Sequence, residues 1–246
     1  MKRALALLAL ALACAHSPSR ADRRSAEIHN DLGIEALRGG RGPEAIQEFE
    51  QAIQLAPEYP EARLGHGLAL ELAFGRLPEA EAEYREAIRL RPDYAEAHND
   101  LGQLLAKRAR YEDAIREFDA ALAEMLYREP WVARCNKGQA LFRMGRRDEG
   151  IAEMKTCLTQ TPTYCAGRRE LGRIQLEAGR VHEAIDELTA YARICEKWPD
   201  AHYQLGLARM KEGNLPAARL ELDRCVELGP NTAVGEECRR SRELLE

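Results

Sequence analysis

The pattern of apolar and polar positions along the chain repeats about every 34 residues. Each period carries a glycine, then a small residue, then a bulky apolar residue, and it ends near a proline. The glycines are Gly33, Gly67, Gly102, Gly138, Gly172 and Gly206, spaced 34, 35, 36, 34 and 34 residues apart. The small residues are Ala45, Ala80, Ala114, Gly150, Ala184 and Ala218, the bulky ones are Phe49, Tyr84, Phe118, Met154, Leu188 and Leu222, and the prolines are Pro57, Pro92, Pro130, Pro162, Pro199 and Pro230. The pattern therefore predicts six copies of one supersecondary unit between about residue 26 and Pro230.

Each period has room for two helices of about three to four turns. A second set of glycines falls where the first helix of a unit must end, and it comprises Gly40, Gly75, Gly145, Gly179 and Gly213. Because glycine adopts a positive φ without a Cβ clash, these positions predict the turn between the two helices. The prolines predict where the second helices end. Beyond Pro230, a stretch rich in arginine and glutamate predicts a polar capping helix.

Glycine at the eighth position of a period, with a small residue at position 20 and a bulky one at position 24, resembles the tetratricopeptide repeat. The resemblance implies an all-α fold. We expect a right-handed superhelical solenoid of six tetratricopeptide repeats, each a helix-turn-helix, over residues 26–230. Residues 231–246 are expected to form the C-terminal capping helix.

Composition agrees with a helical, water-soluble repeat region. Strong helix formers are abundant, 45% of the residues are apolar and 31% are charged. Acidic residues outnumber basic ones, 41 to 36, for a formal net charge of -5. Nucleic acid is therefore not an expected partner, because its phosphates require a basic surface.

The N-terminus has the form of an export signal. Lys2 and Arg3 precede an apolar run from Ala4 to Ala13, which is too short to span a membrane, and Cys14 follows. The sequence from Ala11 to Cys14 resembles a bacterial lipobox, so residues 1–13 are interpreted as a lipoprotein signal peptide and Cys14 as the lipidation site. Ordinary secretion, with cleavage after the run Ala13 to Ala15, is the alternative. Residues 14–25 are interpreted as a lipidated, flexible tether.

The other six cysteines all lie in the second half of the chain, and they are Cys135, Cys157, Cys165, Cys195, Cys225 and Cys238. In an exported protein an even number of cysteines indicates disulfides. Cys225 lies near the end of a second helix, opposite the start of the helix that follows, and is expected to pair with Cys238 in that helix. For Cys165, a pairing with Cys157 competes with a pairing with Cys135. The alternative is six free, buried thiols that pack as small apolar residues.

The sequence contains little that indicates catalysis or metal binding. Serine occurs only at Ser17, Ser19, Ser25 and Ser241, and there is no CxxC, HExxH or phosphate-binding glycine motif. His29, His98 and His202 share one repeat position and are interpreted as packing residues. Trp131 and Trp198 flank repeat-ending prolines and are expected to seal repeat junctions. We therefore predict a protein that is not an enzyme, with no cofactor, metal or small-molecule substrate.

The candidate binding site is the groove that first-helix positions 2, 5, 9, 12 and 13 line in this fold. Its residues in the early repeats are apolar: Ile34, Leu37, Leu64, Leu68 and Leu72. Later residues are polar or basic: Asn99, Gln103, Lys107, Phe142, Arg143, Arg169 and Arg173. The apolar strip suits an amphipathic helix, and the basic stripe suits an acidic or C-terminal carboxylate segment with the amides on peptide backbone. The alternatives are interhelical packing for the strip and ordinary solvated charge for the stripe.

A lipobox-like signal, a short tether, six repeats and a cap together resemble the PilF/PilW/Tgl family of lipoproteins, and the cysteine-rich later repeats resemble the Tgl branch. The resemblance implies an outer-membrane pilotin that faces the periplasm. Such a protein binds protomers of a PilQ-like secretin through its groove and promotes their multimerisation for type IV pilus assembly. The alternative is an envelope scaffold for peptidoglycan enzymes or for outer-membrane protein assembly. In the enteric lipoproteins that this N-terminus resembles, an aspartate after the lipidated cysteine commonly retains the protein in the inner membrane. Ala15 follows Cys14 here, so the resemblance favours outer-membrane placement.

Overall fold

A computed structural model describes residues 18–245, which form two compact units divided after Leu90. The first unit contains α1 (Arg20–Arg38), α2 (Gly42–Leu55), α3 (Pro60–Phe74) and α4 (Leu77–Leu90). The second contains α5 (Ala95–Lys107), α6 (Tyr111–Ala123), α7 (Pro130–Arg143), α8 (Arg147–Gln160), α9 (Cys165–Glu177), α10 (Val181–Ile194), α11 (Pro199–Glu212), α12 (Leu215–Leu228) and α13 (Ala233–Glu243). The described residues contain helices and no strands, which confirms the all-α tetratricopeptide-repeat fold.

Two helix pairs make up the first unit, and four pairs with a terminal helix make up the second. Within each unit every helix packs on the next, and the first helices of successive pairs also contact each other. In the second unit α5, α7, α9, α11 and α13 therefore form one layer, and the second helices pack against it. Because α13 contacts both α11 and α12, it closes the end of the stack as the predicted capping helix.

The periodic glycine and the periodic bulky residue meet in every repeat. A Cβ on Gly33 would lie 2.8 Å from the Phe49 ring, and one on Gly102 would lie 2.6 Å from Phe118. The same contact joins Gly67 to Tyr84, Gly138 to Met154, Gly172 to Leu188 and Gly206 to Leu222. Real Cβ atoms do not approach side chains this closely, so the glycine is what lets the two helices cross with the bulky side chain between them.

The turns inside the pairs have the backbone conformation that the sequence predicts. Gly40, Gly75, Gly145, Gly179 and Gly213 all have positive φ, between 65° and 95°. The third repeat has Ala109 at the equivalent turn, with a φ of 57°. This conformation costs a residue with a Cβ roughly 1 kcal/mol. The turn of the third repeat is therefore strained, whereas glycine avoids this cost at the turns of the other five repeats.

The first helix begins earlier than predicted. Arg20 to Ser25, assigned to the tether from sequence, form the opening turns of α1. The reason is a capping box in which the Asp22 backbone N–H donates to the Ser19 hydroxyl and the Ser19 backbone N–H donates to the Asp22 carboxylate. Cys14 and the predicted signal peptide lie outside the described residues. None of the helices among residues 18–245 has both the length and the apolar character needed to cross a membrane.

A basic residue on each first helix pairs with a glutamate on the second helix of the same repeat. In the first unit the pairs are His29 with Glu48, at 2.6 Å, and Arg63 with Glu83, at 3.1 Å. In the second unit they are His98 with Glu117, Arg134 with Glu153, Arg168 with Glu187 and His202 with Glu221. The three histidines are thus packed between helices as predicted, and each is also one member of a repeated polar pair.

Three disulfides lie in the second unit, and one of them joins Cys225 to Cys238, the pair that the sequence favours. Both alternatives for Cys165 are wrong. Cys135 pairs with Cys157, with their Cα atoms 5.5 Å apart, and Cys165 pairs with Cys195, at 6.4 Å.

The physical reason for the two other pairings is the antiparallel packing of the helices in one repeat. The end of the second helix lies beside the start of its own first helix, so Cys157 on α8 faces Cys135 on α7. Cys165 is the first residue of α9, and it faces Cys195 at the end of α10. Each of these disulfides therefore closes one helical hairpin.

We predict that Ala109→Gly stabilises the protein by roughly 0.5 to 1 kcal/mol, because glycine removes the Cβ clash at positive φ. Urea denaturation followed by circular dichroism measures the change in the free energy of unfolding. Gly179→Ala is the matched control and is expected to destabilise by about the same amount. A loss of stability in Ala109→Gly would contradict the assignment of strain.

The pair between His98 and Glu117 predicts a pH-dependent stability. The hydrogen bond to Glu117 raises the pKa of His98 above its ordinary value. A raised folded pKa means that the contribution is complete below about pH 6.5 and is lost as the pH rises through the folded pKa. We therefore expect His98→Gln to cost roughly 1 kcal/mol at pH 6 and clearly less at pH 9, measured by urea denaturation.

Arg134→Gln is the control for that pH dependence. Arg134 occupies the same repeat position and pairs with Glu153 at 3.0 Å. Arginine as a residue type, unlike histidine, keeps its charge throughout the pH range used with proteins. Its loss should therefore cost the same at both values. Equal losses for His98→Gln at pH 6 and pH 9 would show that His98 acts by packing alone.

Candidate functional site

The predicted apolar strip of the first unit is partly core and partly surface. Leu64 is buried and belongs to the interior, which corrects its assignment to the groove. Ile34 and Leu37 are half-buried and pack against the cluster around Phe49. Leu72, by contrast, is 63% exposed, and Leu68 is half-buried one turn before it on α3. The alternative of interhelical packing thus holds for Leu64, and the exposed part of the strip centres on Leu72.

Asn30 adds a polar group to the first unit that the sequence prediction did not include. Its side chain is only 4% exposed, and its Oδ1 has no hydrogen-bond partner among the described residues. A buried carbonyl without a donor is costly, so a ligand that brings an N–H group would be favoured here. The signal was present in the sequence, because Asn30 and Asn99 occupy the same place in the repeated segment His-Asn-Asp-Leu-Gly.

Phe142, predicted to line the groove, is buried in the core of the second unit. It is 5% exposed and packs in a cluster with Ile151 and Met154 of α8. The register explains the difference, because Phe142 and Arg143 are consecutive on α7 and point about 100° apart. The side chain of Arg143 is therefore exposed, whereas that of Phe142 is buried.

The predicted basic stripe is neutralised by carboxylates of the same unit. Arg143 lies 3.5 Å from Glu177, and Arg173 pairs with both Glu170 and Glu177. The hydrogen bond to Glu170 raises the pKa of Arg173 above its ordinary value. Arg169 faces Asp200 at 3.8 Å. The stripe is therefore an ion-pair network that crosses from one repeat to the next and leaves no excess of positive charge to recruit an acidic segment.

Three of the predicted groove residues, Gln103, Lys107 and Arg143, do line one pocket of about 220 Å³ between α5 and α7. We call it the amide pocket. Its remaining wall is Ala106, Tyr111, Phe118, Asn136, Gln139 and Ala140. Three of its side chains, Gln103, Asn136 and Gln139, are amides, and such groups bond both N–H and C=O groups of a peptide backbone. Neither Asn136 nor Gln139 was among the predicted residues. Asn136 lies between the groove positions of the repeat pattern, whereas Gln139 occupies groove position 9, equivalent to Gln103, and the spacing alone could have found it.

Asn99 connects this pocket to a second one. Asn99 is buried, accepts a hydrogen bond from Asn136 at 3.1 Å and donates one to Asp100 at 3.1 Å. On its other side lies a cavity of about 580 Å³ formed by Glu96, Asn99, Asp100, Tyr127, Arg128, Glu129, Trp131 and Val132. We call it the acidic aromatic pocket. Trp131 also packs against the core of its repeat, in agreement with its predicted role at a junction.

Three carboxylates and one cation line the acidic aromatic pocket. Burial raises the pKa of the Tyr127 hydroxyl, and the neighbouring carboxylates of Asp100, Glu96 and Glu129 raise it further, because each opposes a second negative charge. Burial also raises the pKa of the Tyr164 hydroxyl, and the carboxylate of Glu129 raises it further. The sequence did not indicate this pocket, since its residues come from α5, a loop and α7.

The described residues contain no group of histidine, cysteine, aspartate and glutamate arranged to hold a metal ion. What the second unit offers is a pair of adjoining pockets, one rich in amides and one acidic with aromatic walls. What the first unit offers is an exposed leucine and a buried, unpartnered amide oxygen. These are the means by which a protein binds an extended or helical polypeptide.

The repeats are also recognised from comparison with known proteins. Residues 70–108 match the family described as TPR repeat, and residues 30–80 and 135–199 match the family described as Tetratricopeptide repeat. Together with the helix pairs, these matches show that the chain belongs to the tetratricopeptide-repeat proteins. The fold is typical of non-enzymatic scaffolds that bind other proteins. Among curated protein sequences, none matches this chain.

Solved structures extend the likeness over most of the chain. PilW, described as a widely conserved type IV pilus biogenesis factor, is 25% identical, with a TM-score of 0.79 over 86% of this chain and 97% of PilW. PilF of Pseudomonas aeruginosa is 16% identical, with a TM-score of 0.74 over 90% and 100%. YrrB, described as a TPR protein with an unusual peptide-binding site, is 19% identical, with a TM-score of 0.54 over 78% and 97%. The likenesses to PilF and YrrB show the fold alone.

Substitutions at Phe142 and Arg143 test where the groove of the second unit begins. Because Phe142 is a core side chain, we expect Phe142→Ala to destabilise the protein by about 3 to 5 kcal/mol. Arg143→Ala removes only an exposed ion pair and is expected to cost less than about 1 kcal/mol. Thermal and urea denaturation of both variants measures the difference. Similar stabilities for the two variants would place Phe142 in the groove.

Proposed function

We propose that the protein is an outer-membrane lipoprotein of type IV pilus biogenesis. In this proposal it binds protomers of a PilQ-like secretin through the exposed surface of its first helices and promotes their multimerisation. The acylated Cys14 holds it at the membrane, with the repeats in the periplasm. It performs no chemistry on its client, and its effect comes from binding free energy alone.

The observation that carries this proposal is the likeness to PilW. The two chains correspond over 86% of this one and 97% of PilW at 25% identity, so the likeness extends through all but a small part of both proteins. PilW is described as a pilus biogenesis factor. A repeat fold shared over such a length, with surface pockets suited to a polypeptide, supports a role in pilus assembly that depends on binding another protein.

Three disulfides support a place outside the cytoplasm. Each joins residues close in the fold, and together they involve every cysteine other than Cys14. Disulfides persist in oxidising compartments such as the bacterial periplasm. Cys14 then remains for lipidation, and acylation with more than one chain makes anchoring stable where a single chain is marginal.

Anchoring explains how modest affinity for a client can suffice. A protein and a secretin protomer held at the same membrane meet in two dimensions, which raises their effective concentration. The exposed Leu72 offers an apolar contact for a helical segment. A client covered in this way is protected from other association until it meets further protomers.

The anchor and the apolar contact are tested separately in cells that carry the full chain. We expect Cys14→Ala to move the protein from the outer-membrane fraction to the soluble periplasmic fraction and to reduce secretin multimers. We expect Leu72→Glu to leave the protein in the outer membrane but to reduce multimers at least about tenfold, since burying the new charge costs several kcal/mol. Membrane fractionation and cross-linking of the secretin measure both effects.

Leu220→Glu is the matched control, because Leu220 is 69% exposed on the second helix α12 and introduces the same charge away from the first helices. It is expected to leave multimers unchanged. Normal multimers in both Cys14→Ala and Leu72→Glu would refute the proposed mechanism. Capture of peptidoglycan enzymes in place of a secretin, from solubilised membranes, would assign the protein to envelope scaffolding instead.

A further inference from the structure

The acidic aromatic pocket owes its form to a loop that is longer than its counterparts. The segment between α6 and α7 comprises residues 124–129, whereas the loops between α2 and α3, α8 and α9, and α10 and α11 comprise residues 56–59, 161–164 and 195–198. The two additional residues account for the 36-residue spacing between Gly102 and Gly138. Tyr127, Arg128 and Glu129, which line the pocket, all belong to this longer loop.

Two of the three carboxylates in the pocket, Glu96 and Glu129, come from different elements and are not used to hold the fold together. Glu96 lies in the first turn of α5, and Glu129 precedes α7 without capping it by its side chain. Neither side-chain carboxylate makes a hydrogen bond or ion pair with another of the residues 18–245. Asp100 is different, because Asn99 and Gln103 donate to it and hold it in place. The pocket thus combines one fixed carboxylate with two available ones.

The aromatic side chains complete a site for a flat cation. Tyr127 and Trp131 are half-buried in the wall, so their positions are held by packing. Aromatic faces attract a guanidinium, and a carboxylate binds it through two hydrogen bonds. A metal ion is the less suitable cation, because the described residues contain no group arranged as metal ligands.

We propose that the acidic aromatic pocket binds an arginine side chain of the client polypeptide. The guanidinium lies between Trp131 and Tyr127 and pairs with Glu96 and Glu129, while the client backbone continues along Asn99 toward the amide pocket. This inference rests on the proposed function, in which a polypeptide lies on the first helices. It specifies the client residue by its chemistry and replaces the acidic client segment that the sequence suggested.

Arg128 is the one positive side chain in the wall, and it is exposed. Its charge opposes a client arginine. Removing it should therefore strengthen the interaction, which is the reverse of what an anion site would show.

The test uses the fluorescence of Trp131 in the full chain carrying Trp198→Phe, which leaves Trp131 as the single reporter. The probes are the capped peptide Gly-Gly-Arg-Gly-Gly and the same peptide with citrulline, which has the shape of arginine without its charge. We expect a saturable change with the arginine peptide and at least about tenfold weaker binding of the citrulline peptide. The double variant Glu96→Gln, Glu129→Gln is expected to lose at least about tenfold in affinity for the arginine peptide.

Glu183→Gln combined with Glu237→Gln is the control, because it removes two exposed carboxylates on α10 and α13 and changes the net charge equally. Its affinity should equal that of the parent chain, and Arg128→Ala should bind more tightly.

Four results would each overturn the proposal. They are equal binding of the two peptides, unchanged affinity in the Glu96 and Glu129 variant, weaker binding by Arg128→Ala, and no binding at all. Arginine binding without secretin capture would refute the proposed function alone, and capture without arginine binding would refute this pocket alone.

Discussion

The repeated contact between a first-helix glycine and a bulky second-helix side chain is the constraint on which the rest of the structure depends. Gly33 against Phe49 and Gly102 against Phe118 show its form, with no room for a Cβ. Close crossing puts the bulky side chain between the helices and buries it completely. Each pair of helices is thereby held at one separation, and the outward face of every first helix becomes available for other contacts.

Polar pairs add orientation to this packing. The pair formed by the fourth residue of each repeat, such as His29 with Glu48 or Arg168 with Glu187, joins the same two positions in every repeat. Exposed ion pairs contribute little to stability, but these are half-buried and hydrogen-bonded. They fix how far one helix is shifted along its axis relative to the other. The contact between the glycine and the bulky side chain does not fix this shift by itself. In the second unit the disulfides hold the same hairpins covalently.

Many charged side chains among residues 18–245 are already paired with one another, and this decides what the surface can bind. Arg143 and Arg173 look like a basic stripe in the sequence, yet Glu177 at the end of α9 lies close to both. The acidic aromatic pocket is an exception, since Glu96 and Glu129 are left for a ligand. We therefore expect a polypeptide that binds the second unit to be selected by cationic and backbone groups more than by carboxylates.

The sequence by itself determined the repeat, its turns, the pairing of Cys225 with Cys238 and the class of protein. It could do so because spacing and glycine conformation are local properties of the chain. Leu64 and Phe142 could not be placed from spacing, because a step of one residue on a helix turns a side chain by about 100° and decides whether it is buried. Only the tertiary structure decided the pairing of Cys135 with Cys157, the partners of the arginines and the acidic aromatic pocket. These features depend on distances between residues that are far apart in sequence, and such distances exist only once the helices have packed.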